Sequence, residues 1–517
     1  MQFKRLLFQT HRWTGVVLAL FMFIWFLSGL VIVYAPSTIQ NRGDQLARAE
    51  TLQPGSDWLP LGLAWTQAHT GSDPRSNIVE GRLVQHLSGP AWLIEDSQGK
   101  RHAISAISGQ TLRVSADEAV QIGARWLGRP GTDLQFLETF EHDATMRNQE
   151  ALRPFHRLAV NDAAGTQLTI SAHTGEVIRV ADRIDRGLFW IGNWLHLFRP
   201  LDSLGWGESR RDVLLWVSGV TLLATLTGLI VGWLRWRPGW AGKPTYSEGR
   251  VHPYRVFWFR WHFWGGLIGG IAAFLWILSG FINNNPWQLF SSANANRQEI
   301  NRFLGAKAPT ALLDWEPGSV ASLPPDTVEL RWRRLGDDAI LLAAQRDGTL
   351  QALDPATPVF SDAALLAAVS RLAGEVPIAT HRLLTEYDSY YYPRHGRGND
   401  NRPLPVLQVD LADAGATRLY IDPQQGRLLL KQDQSRRVYR WLFSALHYWD
   451  FGWLYARPLW DAWMLVWIGF GLVLSVSGLV LAWKRLALTF KPKRHSAAKA
   501  KGQKAPLGDL AAEQPRS

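Results

Sequence analysis

The chain of 517 residues contains no cysteine. That excludes a disulfide framework, a thiolate-held iron–sulfur cluster, a CxxCH-attached haem and a cysteine nucleophile. A second group of absences concerns motifs. There is no GxGxxG after a strand, no P-loop, no HExxH and no GxSxG. Charge is also missing from four long stretches, 13–35, 213–234, 263–282 and 462–483. Each is about 20 residues or more, enough to cross a hydrocarbon core of ~30 Å as a helix. A buried core helix is usually shorter and amphipathic. Many of the 27 tryptophans sit in or beside these runs, where an amphipathic ring suits the membrane interface. The first run is longer than the core of a signal peptide and recurs in mid-chain, so it reads as a retained span.

The formal charge is +11, and its placement matters more than its size. Residues 1–13, the loop 235–261 and the tail from Lys484 together hold 18 bases and 3 acids. The rest of the chain holds 37 bases against 41 acids. The positive-inside rule puts both termini and the middle loop in the cytoplasm, beside anionic lipid. No nucleic acid is needed to explain the basic excess. The expected division is 1–35 with the first span, 36–210 outside, 211–235 the second span, 236–261 a cytoplasmic loop, 262–285 the third span, 286–460 outside, 461–484 the fourth span and 485–517 a basic disordered tail. In a bacterial inner membrane the two outside segments are periplasmic. Both show short alternating runs with turn punctuation, as at 91–95, 167–170 and 418–421, and helices expected after Ser115 and Ser361, an α+β pattern. A cytoplasmic loop of about 26 residues cannot house a flavin or nicotinamide domain, given domain sizes of ~50 residues upward.

One unit is written twice. HRWTGVVLALFMFIWFLSGLV begins at His11 and HFWGGLIGGIAAFLWILSGFI at His262, an offset of 251. The same offset carries Gly15 to Gly266, Trp25 to Trp276, Trp190 to Trp441, Leu195-His196 to Leu446-His447 and Trp216 to Trp467. Two copies in one orientation imply a pseudo-two-fold axis along the membrane normal. The expected architecture is therefore an α-helical membrane protein, a four-helix transmembrane bundle from two tandem repeats, each with an inserted α+β periplasmic domain.

The repeated histidines are the candidate centre. Within one unit the two lie ~30 Å apart, too far to share a metal. Across units, His11 approaches His262 and His196 approaches His447. Two facing imidazoles are what a six-coordinate b-type haem needs. Gly15 and Gly266, one turn after their histidines, and the Ser28-Gly29, Thr227-Gly228, Ser279-Gly280 and Ser477-Gly478 pairs leave room between helices, as close packing also would. A single interfacial histidine is more often structural. The survival of histidine at both copies, while the outside segments diverge, favours ligation. His156, His252 and His381 lack repeated partners. Glu141 and Asp143 recur as Glu386 and Asp388, where turn roles compete with cation binding. Tyr387, Tyr390, Tyr391, Tyr392, Arg394, Arg397 and Arg402 form an aromatic and basic stretch suited to an anionic chelate or to a solvated loop.

The HRWTG…LSG and LH…W patterns resemble the PepSY-associated transmembrane (PepSY-TM) family. SADEAV at 115–120, QLTISAHTGEV at 167–177 and RLYIDPQQGRLL at 418–429 resemble its PepSY domains. The resemblance covers all but the tail. Within that family the chain is similar to the FoxB-like inner-membrane ferrisiderophore reductases. That similarity implies two b-type haems ligated by His11, His196, His262 and His447, electrons from a quinol or a separate reductase, and a ferric siderophore or other ferric chelate as acceptor. Two other readings stay open: a non-redox PepSY module acting on periplasmic peptidases, and an iron or chelate permease. A permease would show charges or broken helices within its spans, and these runs show none.

Overall fold

The computed structural model describes residues 2–69, 78–240, 242–292, 294–320, 322–356, 358–393 and 402–489. Arg394, Arg397 and residues 490–517 of the tail lie outside the described residues, while 485–489, expected to be disordered, continue the last helix. Among the described residues, four helices are long and apolar enough to cross a membrane: Gln2–Tyr34, Arg210–Arg235, Phe257–Asn283 and Leu459–Thr489. They are called here the first to fourth spans. Each contains one uncharged run and extends it at one end or both. The first begins near residue 2 because 2–12 contains no Gly or Pro to stop it. The spans touch in the ring order first, second, third, fourth and back to the first. The first and third spans therefore face each other across a diagonal.

Outside the spans the described residues form three antiparallel sheets. The strands are β1 (Ile78–His86), β2 (Gly89–Asp96), β3 (Arg101–Ser105), β4 (Leu134–Phe140), β5 (Phe155–Val160), β6 (Gln167–Ser171), β7 (Val177–Ala181), β8 (Thr327–Leu335), β9 (Asp338–Gln345), β10 (Leu350–Ala352), β11 (Ile378–Leu384), β12 (Val406–Leu411), β13 (Arg418–Asp422) and β14 (Arg427–Gln432). Sheet β4-β5-β6-β7 is covered by helix Ala116–Leu127, whose N-cap Ser115 and Glu118 form a capping box. Ala119 and Ala124 pack there on Leu134, Leu158 and Leu168. Sheet β11-β12-β13-β14 is covered in the same way by Asp362–Ala373, capped by Ser361.

The third sheet corrects the expectation of one self-contained domain per segment. Its order is β10-β9-β8-β1-β2-β3, three strands from each outside segment, joined where β1 pairs with β8. Strand alternation explains the joint. Leu83, Leu330 and Trp332 point into one apolar core with Trp65 and Trp92. The opposite face carries Glu80, Arg82, Glu329, Arg331 and Arg333. Glu329, with its side chain 1% exposed, pairs with Arg42, Arg82 and Arg331. Arg82 reaches Glu176 at 2.9 Å, at the turn between β6 and β7, and Arg333 pairs with Glu80 at 2.5 Å. Arg331 and Arg333 both donate to Gln425 before β14. The charged face thus clamps both four-stranded sheets to the shared one.

Buried ion pairs add little net stability but cost much when halved. Glu329→Leu should destabilise the protein by about 3–5 kcal/mol, read as a lowered thermal midpoint in detergent. The surrounding guanidinia hold the Glu80 and Glu329 carboxyls far below the ordinary range, and hold Glu176 at about 2 against the cost of burial. A depressed folded pKa contributes stability in full above the unfolded value of about 4.3. Stability should therefore hold at neutral pH and fall steeply as pH drops from there toward 2. An acid-unfolding curve without that fall would contradict the clamp.

Candidate functional site

Each of the four repeated histidines is placed by a different element. His11 lies in the first span and His262 in the third. His196 and His447 follow π-helical turns at Trp190–Trp194 and Arg440–Ala445, a wide winding that often marks functional sites. Two residues after each of these, Phe198 (φ 53°) and Trp449 (φ 51°) adopt the left-handed conformation and end the helix. Side chains with a Cβ pay ~1–2 kcal/mol for that conformation. Packing holds them there: Phe198 stacks on Phe21, and Trp449 stacks on Trp467. Trp25 Nε1 donates to the His196 carbonyl at 3.3 Å, and Trp276 Nε1 to the His447 carbonyl at 2.9 Å.

The rings meet in the expected pairs. His11 and His262 have centroids 6.2 Å apart, and His196 and His447 have centroids 6.3 Å apart. Every Nδ1 is tied to a neighbouring span. His196 Nδ1 lies 3.0 Å from Ser28 Oγ, His447 Nδ1 3.0 Å from Ser279 Oγ and His262 Nδ1 3.2 Å from Ser477 Oγ. His11 Nδ1 lies 3.1 Å from the Ala224 carbonyl.

One tautomer satisfies all of these contacts at once. The Ser28 hydroxyl hydrogen goes to the Ile24 carbonyl at 2.6 Å, that of Ser279 to Trp276 at 2.8 Å and that of Ser477 to Val473 at 2.7 Å. Each Oγ can then only accept, and a carbonyl always accepts. All four Nδ1 atoms therefore carry the hydrogen, and each Nε2 keeps its lone pair. No described residue hydrogen-bonds any of the four Nε2 atoms. Burial lowers His196 to about 4 and His447, which also faces His196, to about 3, so both are neutral near pH 7.

Two neutral imidazoles this close cannot hydrogen-bond through two bare Nε2 lone pairs; a cation placed between the rings could accept both. An imidazole nitrogen binds a metal at ~2 Å with its centroid about 1.2 Å behind, so two rings on opposite sides of one metal have centroids about 6.4 Å apart. Both pairs match that spacing. Among the described residues no cluster of three or more His, Asp or Glu could hold a metal. Each pair could supply two nitrogen donors to a metal whose other positions were filled by a separate donor set, as in a metalloporphyrin. The chain's residues fit that group.

The small residues divide by role. A Cβ on Gly228 would lie 2.7 Å from His11 Cε1, and one on Gly478 3.4 Å from His262 Cε1. These glycines seat the imidazoles. Gly15 borders open space, and a Cβ on Gly266 would meet only Leu474 at 3.5 Å, so neither touches a histidine. The serines orient the rings, a role beyond the clearance expected of them. The signal for it was the recurrence of Ser beside Gly in three of the four pairs.

Six of the remaining candidates have structural partners. Asp143 caps Thr145 and pairs with Arg157 at 2.6 Å. Asp388 accepts from the backbone of Tyr390 and Tyr391 and from the Tyr420 hydroxyl. Tyr391 is fully buried and donates to the Pro403 carbonyl, and Tyr392 pairs with Asp450. His156 lies buried between Thr139 and the Val114 carbonyl, and His252 packs on Phe263 and Trp264.

Gly228→Ala should push on the His11 ring and cost about 1–3 kcal/mol as an overpacked site. Gly280→Ala, where a Cβ meets nothing within 4 Å, should leave stability unchanged or raised. Thermal unfolding of both variants in detergent checks the contrast.

No curated protein matches the chain. Residues 8–353, from the first span through β10, match the family described as the PepSY-associated TM region. With its apolar helices and extramembrane sheets, the chain belongs to the PepSY-associated TM region family.

Proposed function

We propose that this membrane protein is a b-type dihaem oxidoreductase that moves electrons across the bacterial inner membrane to a ferric chelate in the periplasm. The observation that carries the reading is the pair of facing imidazole couples, each with Nδ1 tied back and Nε2 free. His11 and His262 would hold one haem, and His196 and His447 the other. Ser28 and Ser279 lie 17 residues beyond His11 and His262 on their own spans, about 25 Å along a helix. One centre thus lies toward each membrane face. Both termini and the middle loop are cytoplasmic in this reading, in keeping with their positive charge.

Bound haem supplies one-electron chemistry, and the protein supplies position and environment. Ser28, Ser279, Ser477 and the Ala224 carbonyl keep each imidazole in the ligating tautomer and raise its donor strength. Trp25 and Trp276 fix the backbone at His196 and His447. The uncharged spans exclude water. Reducing equivalents come from a quinol or a separate reductase, and the product is ferrous iron released from its chelate, such as a siderophore. The matching contacts at positions 251 apart support a duplicated unit as the origin of both centres.

His196→Ala and His447→Ala should each remove the same haem and leave the other, while His11→Ala and His262→Ala remove the second. Pyridine haemochrome content and redox titration separate the cases. Loss of different haems from His196→Ala and His447→Ala would overturn the pairing across units. Protein reduced without oxygen should be reoxidised by a ferric hydroxamate, with ferrous iron trapped by a ferrous-specific chelator. Failure of that reoxidation would overturn the proposed acceptor.

A further inference from the structure

Three residues beyond His196 stands Arg199, whose side chain is only 13% exposed. Its guanidinium makes no hydrogen bond to any described residue, and its buried Nη1 has only a longer ionic contact. A guanidinium carries five donors in a fixed fork, and a buried group left unsatisfied needs an explanation. Among the described residues its one ion-pair partner is Asp202, at 3.7 Å. That carboxylate is already shared. Arg147 Nη2 donates to Asp202 Oδ2 at 2.9 Å, and Arg210 Nε lies 3.0 Å from Asp202 Oδ1. Arg210 Nε is itself buried and makes no aligned hydrogen bond. Among the described ion pairs these three guanidinia have Asp202 alone, a local surplus of two positive charges.

The cluster is attached to the His196 site. Arg210 Nη1 donates to the carbonyl of Leu197, next to His196, at 3.3 Å. The left-handed turn at Phe198 directs the chain from His196 into Arg199. The matching positions in the second half carry the opposite charge. An offset of 251 takes Arg199 to Asp450 and Arg210 to Asp461. Asp450 is buried and answered by Arg440, and Asp461 lies 3.7 Å from Arg457. At these matched positions the excess of cations belongs to the first half alone.

We infer that Arg199, Arg210 and Arg147 form a carboxylate-binding site beside His196. Planar guanidinia meet carboxylates in two parallel hydrogen bonds, and Arg199 has donors free for that geometry. Two sources share the chemistry: the propionate side chains of a haem held by His196 and His447, and the carboxylates of a soluble anionic chelate. The first source rests on the proposed function. The second does not.

The test uses the full chain in detergent and has two arms. In the first, apo protein is titrated with haem and with haem dimethyl ester, followed by absorbance. If propionates fill the site, the wild type binds the ester at least about tenfold more weakly at the centre lost in His196→Ala. Arg199→Gln erases that preference, and Arg199→Lys restores part of it. In the second arm citrate is titrated into the protein by calorimetry. If soluble carboxylates fill the site, Arg199→Gln weakens citrate binding by about tenfold. Arg210→Gln, on a different element, gives the same readings if Arg199→Gln does not fold. A preference or binding that is equal in wild type and variants, or absent from the wild type in both arms, overturns the site. Wild type that takes up neither haem nor its ester overturns the haem reading instead, and the citrate arm then decides this one.

Discussion

The hydrogen bond from each histidine Nδ1 to an oxygen on a neighbouring span is the contact on which the rest depends. Without it an imidazole in an apolar bundle is a loose polar ring with either tautomer open to it. With it, the ring has one orientation and one protonation pattern, and its second nitrogen is a bare lone pair. The oxygen is a serine Oγ at three sites and the Ala224 carbonyl at the fourth. Thr227 takes the serine's place there and sends its hydroxyl to the Leu223 and Ala224 carbonyls instead. His11 is therefore held by a stronger acceptor than the other three. That difference sets the His11–His262 pair apart from the His196–His447 pair, within a bundle that otherwise repeats its contacts.

Holding two halves of a chain in register across a diagonal requires more than the spans. The shared six-stranded sheet supplies it. Pairing of β1 with β8 joins residues about 250 apart in sequence, and the Glu80, Arg82, Glu329, Arg331 and Arg333 face locks the two smaller sheets to that joint. A fold with such a clamp brings His196 and His447, which emerge from opposite segments, to one place. The clamp has a cost in desolvation, offset only because each carboxylate keeps two or more guanidinium partners.

Much of this was legible in the residues. Uncharged runs marked the spans, since hydropathy is a local property. The doubled histidines with their Trp, Ser and Gly neighbours marked the site, since two copies in one chain make a comparison possible. The joint between β1 and β8 was not legible. Strand partners far apart in sequence are chosen by tertiary register, and Val79–Val84 or Val328–Arg333 would read equally well as an edge strand of a separate domain. The role of serine as a ring acceptor was hidden for a similar reason. A serine beside a glycine in a span has the same appearance whether it packs a helix or faces an imidazole. For the acid pairs the residues left turn and cation roles both open. Asp143 and Asp388 recur because both cap a turn, as their backbone hydrogen bonds show.

The absorption spectrum of the full chain, purified in detergent from cells with ample haem, tests the central claim most directly. The account predicts a Soret band, sharp visible bands on reduction with dithionite, and about two haems per chain. A folded protein that remains colourless under those conditions would contradict it.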